Sequence, residues 1–126
     1  MIKRAIILIY VIGAILTLLS CSSSDYKKIS AKEAKAMMDE GGVIVVDVRE
    51  QSEYDSGHIE NAILMPLGEI DDIAGDIIPN KDSVILVYCR SGNRSATAAE
   101  KLISLGYNNV YDFGGIIDWP YGSITD

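Results

Sequence analysis

Unbroken apolar runs dominate the hydrophobic pattern of this chain. Residues 43–46, 62–65 and 84–88 are short runs without a charged interruption, and β-branched residues are frequent in the first and the third. A strand that is covered on both faces has this pattern, whereas a strand with one face in water alternates apolar and polar residues. The three runs are therefore predicted to be buried strands of a parallel sheet.

The segments between these runs have the spacing and the end signals of helices. Ser30, with Glu33 three residues later, forms a capping box that predicts a helix through Glu40. Residues 95–105 are rich in good helix formers, and residues 67–78 carry apolar positions at near-helical spacing, which indicates one or two short helices.

Short strands are also predicted near both ends of this region, at residues 27–29 and 110–111, with residues 113–115 as a loop. Strands therefore alternate with helices along the chain. This order predicts an α/β fold with a mainly parallel central sheet and helices on both of its faces.

The N-terminal segment does not fit this fold. Lys3 and Arg4 precede an apolar run of 15 residues, which is short for a membrane span of about 20 residues and typical of a secretory signal. The predicted organisation is a signal peptide at 1–20, a lipid-attachment cysteine and polar tether at 21–25, and one domain at 26–126. An uncleaved signal anchor is the alternative.

The end of the apolar run, Leu18-Leu19-Ser20-Cys21, resembles the lipobox of bacterial lipoproteins. This resemblance implies cleavage before Cys21 and acylation of that cysteine. The protein is then expected in the bacterial cell envelope, on the extracytoplasmic side, with the membrane as a partner through the lipid. Of the two cysteines in the chain, Cys89 alone would remain free, which excludes an internal disulfide.

The charge balance limits the partners. The chain has 11 basic and 18 acidic residues, and without Lys3 and Arg4 its net charge falls from −7 to −9. Proteins that bind the phosphate backbone are basic, so nucleic acid is not an expected partner. A small anionic substrate is still allowed, because charges farther than about 8 Å away are screened at physiological salt.

Cys89 follows the third apolar run directly. The residues after it are Arg90, Ser91, Gly92, Asn93, Arg94 and Ser95, where a helix is predicted to begin. A helix start has unpaired N–H groups that bind anions, and such a start, together with nearby arginine, lowers the pKa of a cysteine. Cys89 is therefore predicted to be a nucleophile held by this loop. The alternative is an inert core cysteine.

Four fragments in chain order resemble a single-domain rhodanese, which is a sulfurtransferase: Asp47-Val48-Arg49-Glu50, Gly57-His58-Ile59-Glu60-Asn61-Ala62, Cys89 through Ser95, and Gly114-Gly115 with Trp119. The resemblance spans about residues 26–119. It implies a rhodanese-like fold and a persulfide on Cys89 that carries a sulfane sulfur. The donor would be thiosulfate or a similar small anion. The acceptor would be a thiol, either a small molecule or a thioredoxin-like protein, and no cofactor is expected.

Asp47 and Arg49 are expected near Cys89, because the carboxyl ends of parallel strands meet at one rim of the sheet. A carboxylate beside a thiolate would raise the pKa of the thiol, which opposes its function. Both residues are therefore predicted to brace the loop rather than to react. Arg49 is expected to pair with a nearby acid such as Glu50 or Glu53.

His58 is the single histidine and is assigned a structural role, with a Cys–His pair as the alternative. One free cysteine and one histidine lack the ligand spacing of a metal site, so no metal is predicted. Gly114 and Gly115 are assigned to turn chemistry, with a backbone wall of the pocket as the alternative. Trp119 is assigned to packing, with a binding platform as the alternative.

Three functions are compatible with these residues. Sulfur transfer is favoured. A non-enzymatic persulfide carrier or protein-binding module at the envelope is the alternative. Phosphatase or arsenate chemistry is less favoured, because four residues separate Cys89 from Arg94, whereas related phosphatases have five.

Overall fold

A computed structural model describes residues 25–125. The predicted signal peptide and the lipid-attachment site at Cys21 lie outside the described residues. Between residues 25 and 125, no helix is both long and apolar enough to cross a membrane.

Within residues 25–125, five strands form one sheet in the spatial order β1-β5-β4-β2-β3, and every neighbouring pair is parallel. The strands are β1 (Lys27–Lys28), β2 (Val43–Asp47), β3 (Ile63–Leu64), β4 (Val84–Cys89) and β5 (Asn109–Gly115). The three apolar runs correspond to β2, β3 and β4, and β4 lies at the centre of the sheet. The parallel α/β fold that the hydrophobic pattern predicts is therefore confirmed.

In the described part of the chain, four α-helices connect the strands: α1 (Ala31–Glu40), α2 (Gln51–Ser56), α3 (Ile70–Ile77) and α4 (Asn93–Ser104). Two 3₁₀ turns, Leu67–Glu69 and Ile116–Asp118, precede α3 and follow β5. The predicted capping box is present, because the Ser30 hydroxyl accepts from the Glu33 N–H at 3.0 Å while Glu33 accepts from the Ser30 N–H.

The core has two layers, one on each face of the sheet. Ile85, Val87 and Cys89 of β4 pack on the face that α3 and α4 cover. The alternate residues, Leu86 and Tyr88, pack on the other face with residues of α1 and α2. Because successive side chains of a strand point to opposite faces, the free cysteine and its neighbour Tyr88 lie on opposite sides of one sheet.

Two predicted boundaries differ from the structure, and one helix was not predicted. The last helix begins at Asn93 rather than at residue 95, because Gly92 caps it in the left-handed region with φ 105°. The last strand continues through Gly115, so residues 113–115 are not a loop. Helix α2 was not predicted, since its six residues are too few for a helical pattern to develop.

A buried ion pair connects the carboxyl ends of β2 and β4. The Arg49 guanidinium donates to both carboxylate oxygens of Asp47, with distances of 2.7 to 3.1 Å, and the Tyr88 hydroxyl donates to Oδ2 at 2.6 Å. Arg49 also donates to the Gly57 carbonyl at 2.7 Å, which ties the end of α2 to this pair. Burial and the bond to Asp47 raise the pKa of Tyr88 above its ordinary value, so the hydroxyl keeps its proton.

The expected partner of Arg49 was therefore wrong. Arg49 pairs with Asp47 rather than with Glu50 or Glu53. The physical reason is burial: Asp47 and Arg49 are both inside the domain, and a buried charge requires a charged, hydrogen-bonded partner.

We predict that Tyr88→Phe lowers the free energy of unfolding by about 1 to 3 kcal/mol, because it leaves the buried Ile59 N–H without an acceptor and removes one of the donors to Asp47. Asp47 loses a donor, and the Ile59 N–H loses its acceptor, which is the Tyr88 hydroxyl at 3.1 Å. Urea denaturation measures the change. Tyr121→Phe is the control, since Tyr121 is 45% exposed, and equal stability of the two variants would contradict the prediction.

Candidate active site

Cys89 ends β4 at the rim of the sheet, where α4 begins. Only three residues, Arg90 to Gly92, separate the strand from the helix. The side chain is 1% exposed, and it lies on the same face as α4. This position places the sulfur under the first turn of α4, where backbone N–H groups have no partner within the helix.

The sulfur is surrounded by hydrogen-bond donors. The Gly92 N–H donates to Sγ with an N···S distance of 3.0 Å, and the Ser95 hydroxyl oxygen lies 3.6 Å from Sγ. Burial raises the pKa of the Cys89 thiol. Bonds from the Ser95 hydroxyl and from the N–H groups of Ser95, Gly92 and Ser91 outweigh burial, so the net pKa is below the ordinary value. The arrangement can stabilise a thiolate.

The buried Ser95 hydroxyl can form a hydrogen bond with Cys89 both when the sulfur is a thiol and when it is a thiolate. It lies 3.0 Å from the Gly92 carbonyl oxygen and 3.4 Å from that of Gly114. When Cys89 is a thiol, it donates to Ser95, which donates onward to a carbonyl. When Cys89 is a thiolate, the same hydroxyl can turn and donate to the sulfur.

The two arginines of the loop differ in their partners. Arg94 forms two hydrogen bonds with the Glu53 carboxylate, Nη1–Oε1 at 2.7 Å and Nη2–Oε2 at 2.9 Å. These bonds lower the pKa of Glu53 to about 2. Arg90 is exposed, and within residues 25–125 it forms no ion pair. Only Arg90 therefore presents an uncompensated charge. Ser91 and Asn93 are exposed beside it.

The chain matches the family model described as "Rhodanese-like domain" over residues 30–120. That match covers most of the chain. The chain belongs to the rhodanese-like domain family.

Relatives of this rhodanese-like protein differ in their named activities. "Thiosulfate sulfurtransferase PspE" of Escherichia coli is 36% identical over 73 residues, which cover 58% of this chain and 70% of that protein. "tRNA uridine(34) hydroxylase" of Erwinia tasmaniensis is also 36% identical, over 96 residues that cover 72% of this chain but 27% of that protein. Because both relatives have the same sequence identity to this chain, identity does not indicate which named activity applies. The function is therefore argued from the geometry of the site.

A solved structure supports the fold. The crystal structure of a rhodanese-related protein from Thermoplasma volcanium superposes with a TM-score of 0.70 at 35% identity, and the match covers 80% of this chain and all of that one. The rhodanese-like fold that the four sequence fragments imply is thereby confirmed.

Gly115 forms a backbone wall beside the loop of Arg90 to Gly92, which was the alternative interpretation of the two adjacent glycines. A Cβ at Gly115 would lie 2.0 Å from the Arg90 carbonyl oxygen and 2.6 Å from the Ser91 Cα. The sheet register pairs Cys89 with Gly115, so β5 passes directly against the loop. The adjacent glycines were the available sequence signal, but sequence alone does not show which segment they approach.

His58 and Trp119 lie in packed surroundings. His58 is buried and stacks on Tyr54, with 3.7 Å between ring centroids. Trp119 packs against Phe113 and Tyr121, with centroid distances of 5.3 and 4.9 Å. In the part of the chain that the structure describes, no group of His, Cys, Asp and Glu could hold a metal ion.

We predict that the alkylation rate of Cys89 by iodoacetamide rises with pH through a midpoint below about 8.5, the value of a free cysteine. The physical reason is that N–H donors stabilise the thiolate. The Cys21→Ser variant leaves one reactive cysteine to follow, and the same variant unfolded in urea gives the reference midpoint. Identical midpoints in the folded and unfolded protein would contradict the prediction.

We predict that Gly115→Ala displaces the loop, because its methyl group would overlap Arg90 and Ser91. The expected destabilisation is about 1 to 3 kcal/mol, as for other overpacked sites, and the alkylation midpoint should rise. Gly75→Ala in α3 is the matched control, since its added Cβ has no atom within 4 Å. A normal midpoint in Gly115→Ala would show that the wall does not position the donors.

Proposed function

We propose that this protein is a sulfurtransferase that carries a sulfane sulfur as a persulfide on Cys89. One observation carries the proposal: the Gly92 N–H donates to the Cys89 sulfur at 3.0 Å with the Ser95 hydroxyl 3.6 Å away, and the hydrogen bonds around the sulfur lower the pKa of its thiol. Such an arrangement supplies a nucleophile at neutral pH. It also offers donors to the negative charge that a persulfide would place at the same point.

In the first step, the Cys89 thiolate attacks the outer sulfur of thiosulfate. The new bond joins Cys89 Sγ to that sulfur, the sulfur–sulfur bond of thiosulfate breaks, and sulfite leaves with its electron pair. The products are the Cys89 persulfide anion and sulfite. Charge and atoms balance without an external oxidant.

In the second step, a thiolate acceptor attacks the terminal sulfur of the persulfide. The acceptor becomes a persulfide, and the Cys89 thiolate leaves as it was before the first step. A small thiol or a thioredoxin-like protein could serve as the acceptor, and cyanide replaces it in an assay. Neither step requires a cofactor.

The surrounding residues have different roles in this scheme. The N–H groups of Ser91, Gly92 and Ser95 hold the sulfur, and Arg90 attracts the oxygens of the donor. Asp47 and Arg49 brace the end of β2, one hydrogen bond from Tyr88 beside the nucleophile.

A persulfide carrier is the second candidate, and the burial of Cys89 favours it. Cys89 is 1% exposed as a residue and so is shielded from solvent, and we infer that a stored persulfide would be released only to a docked partner. Transfer to small acceptors would then be slow.

We also propose that the domain is attached to the bacterial cell envelope through lipid on Cys21. The basic start, the apolar run and the lipobox-like residues support this attachment. The donor and the acceptor would then be extracytoplasmic.

We predict that incubation with thiosulfate adds the mass of one sulfur atom to the purified protein, and that cyanide removes it with continuous formation of thiocyanate. Cys89→Ser should abolish both reactions, because no nucleophile remains, whereas Cys21→Ser should retain both. Mass spectrometry and a thiocyanate assay measure them.

The two readouts separate the candidates. Persulfide formation without turnover would favour the carrier. Neither reaction, with thiosulfate or with any other sulfane donor, would contradict sulfur chemistry at this site.

A further inference from the structure

The bidentate pair between Glu53 and Arg94 is not used by the mechanism above. We propose that Glu53 determines the class of donor: by neutralising Arg94 it makes the site select donors of single or no charge, such as organic thiosulfonates and persulfides, over the thiosulfate dianion. This inference rests on the proposed sulfurtransferase function and deepens it. Glu53 acts through Arg94, so it is a specificity-determining residue and not a catalytic one.

The geometry shows that the charge of Arg94 is paired with that of Glu53. Both terminal nitrogens of its guanidinium donate to Glu53, at 2.7 and 2.9 Å, and the two side chains are 33% and 28% exposed. Glu53 has a pKa of about 2 and is therefore ionised throughout the neutral range. The carboxylate matches the guanidinium in a bidentate geometry, so an anionic donor would meet an arginine whose charge is already neutralised.

The remaining charges near the sulfur do not replace Arg94. Asp47 and Arg49 neutralise each other inside the domain. Arg90 is the exposed cation of the loop, and the loop N–H groups contribute partial charges only. Arg94 lies close enough to Cys89 for the thiolate to raise its pKa. The neutralisation of Arg94 therefore changes the electrostatic potential at the Cys89 sulfur.

The attacking group is itself an anion, which makes the charge of the donor decisive. Repulsion between a thiolate and a dianion is twice that with a monoanion at the same distance. With a thiosulfonate, the Cys89 thiolate takes the outer sulfur, the sulfur–sulfur bond breaks, and a sulfinate leaves with the electron pair. With an organic persulfide, the same attack releases a thiolate.

The decisive variant is Glu53→Gln. Glutamine can still accept the Glu50 N–H that now bonds to Glu53 Oε1 at 3.1 Å, and it can accept one bond from Arg94, but it carries no charge. Glu33→Gln is the matched control, because Glu33 occupies the same capping position in α1 and has no arginine partner among the ion pairs of residues 25–125.

The readout is kcat/KM for thiosulfate divided by kcat/KM for methanethiosulfonate, at fixed ionic strength. In Glu53→Gln this ratio should rise about threefold. Thiosulfate carries one more negative charge than methanethiosulfonate, and removal of one unit charge at roughly 8 Å from that extra charge, at a dielectric constant close to that of water, has an effect of this size. It should not change in Glu33→Gln. The gain should shrink at high salt, since the pair is partly exposed.

A second readout excludes simple damage to the loop. Removal of the Glu53 charge leaves Arg94 uncompensated beside the thiolate, so the alkylation midpoint of Cys89 should fall. A disordered loop would instead move the midpoint up, toward that of a free cysteine. An unchanged ratio, or a midpoint that rises, overturns the inference.

Arg94→Gln keeps the proposal testable if Glu53→Gln does not fold. This variant leaves the Glu53 charge unpaired, so the ratio must change in the opposite direction, to below that of the unmodified protein. If it does not fall, the inference is wrong. Turnover of both donors with unchanged ratios would refute only the role of Glu53. Absence of a Cys89 persulfide with either donor would refute the proposed function itself.

Discussion

The hydrogen bonding of the Cys89 sulfur by the Gly92 N–H and the Ser95 hydroxyl is the constraint on which the rest of the site depends. Burial alone would disfavour a thiolate, and the donors of Ser91, Gly92 and Ser95 reverse that effect. These donors point inward only because the loop is short and the helix begins at Asn93. A shift of the helix start by one residue would remove the 3.0 Å bond from Gly92 to the sulfur.

The loop is held from two directions. On one side, β5 brings Gly115 against Arg90, and the Ile117 N–H donates to the Arg90 carbonyl at 3.2 Å. On the other side, the Glu53 carboxylate of α2 fixes Arg94 in the first turn of α4. The same helix α2 is tied at its end to the buried Asp47–Arg49 pair through the Gly57 carbonyl. The sulfur site therefore depends on contacts from both faces of the sheet.

Local sequence signals predicted the features that depend on neighbouring residues. The apolar runs identified the strands, Ser30 and Glu33 identified α1, and Cys89 followed by Gly92 and Arg94 identified the reactive loop. The features that sequence did not predict depend on residues far apart in the chain. Arg94 pairs with Glu53 across 41 positions, and Gly115 matters only because β5 lies beside β4. Burial, which sequence does not report, decided that Arg49 pairs with Asp47.

The alternation of side chains along β4 has a consequence for how this domain can vary. Tyr88 binds the Asp47–Arg49 pair on one face, and Cys89 packs beneath α4 on the other. Apolar substitutions beneath α1 can therefore accumulate without a direct contact to the Cys89 sulfur. Substitutions in α2 differ, because Glu53 of that helix holds Arg94 of α4, so variation on the Tyr88 face is separated from the sulfur at α1 and coupled to it at α2.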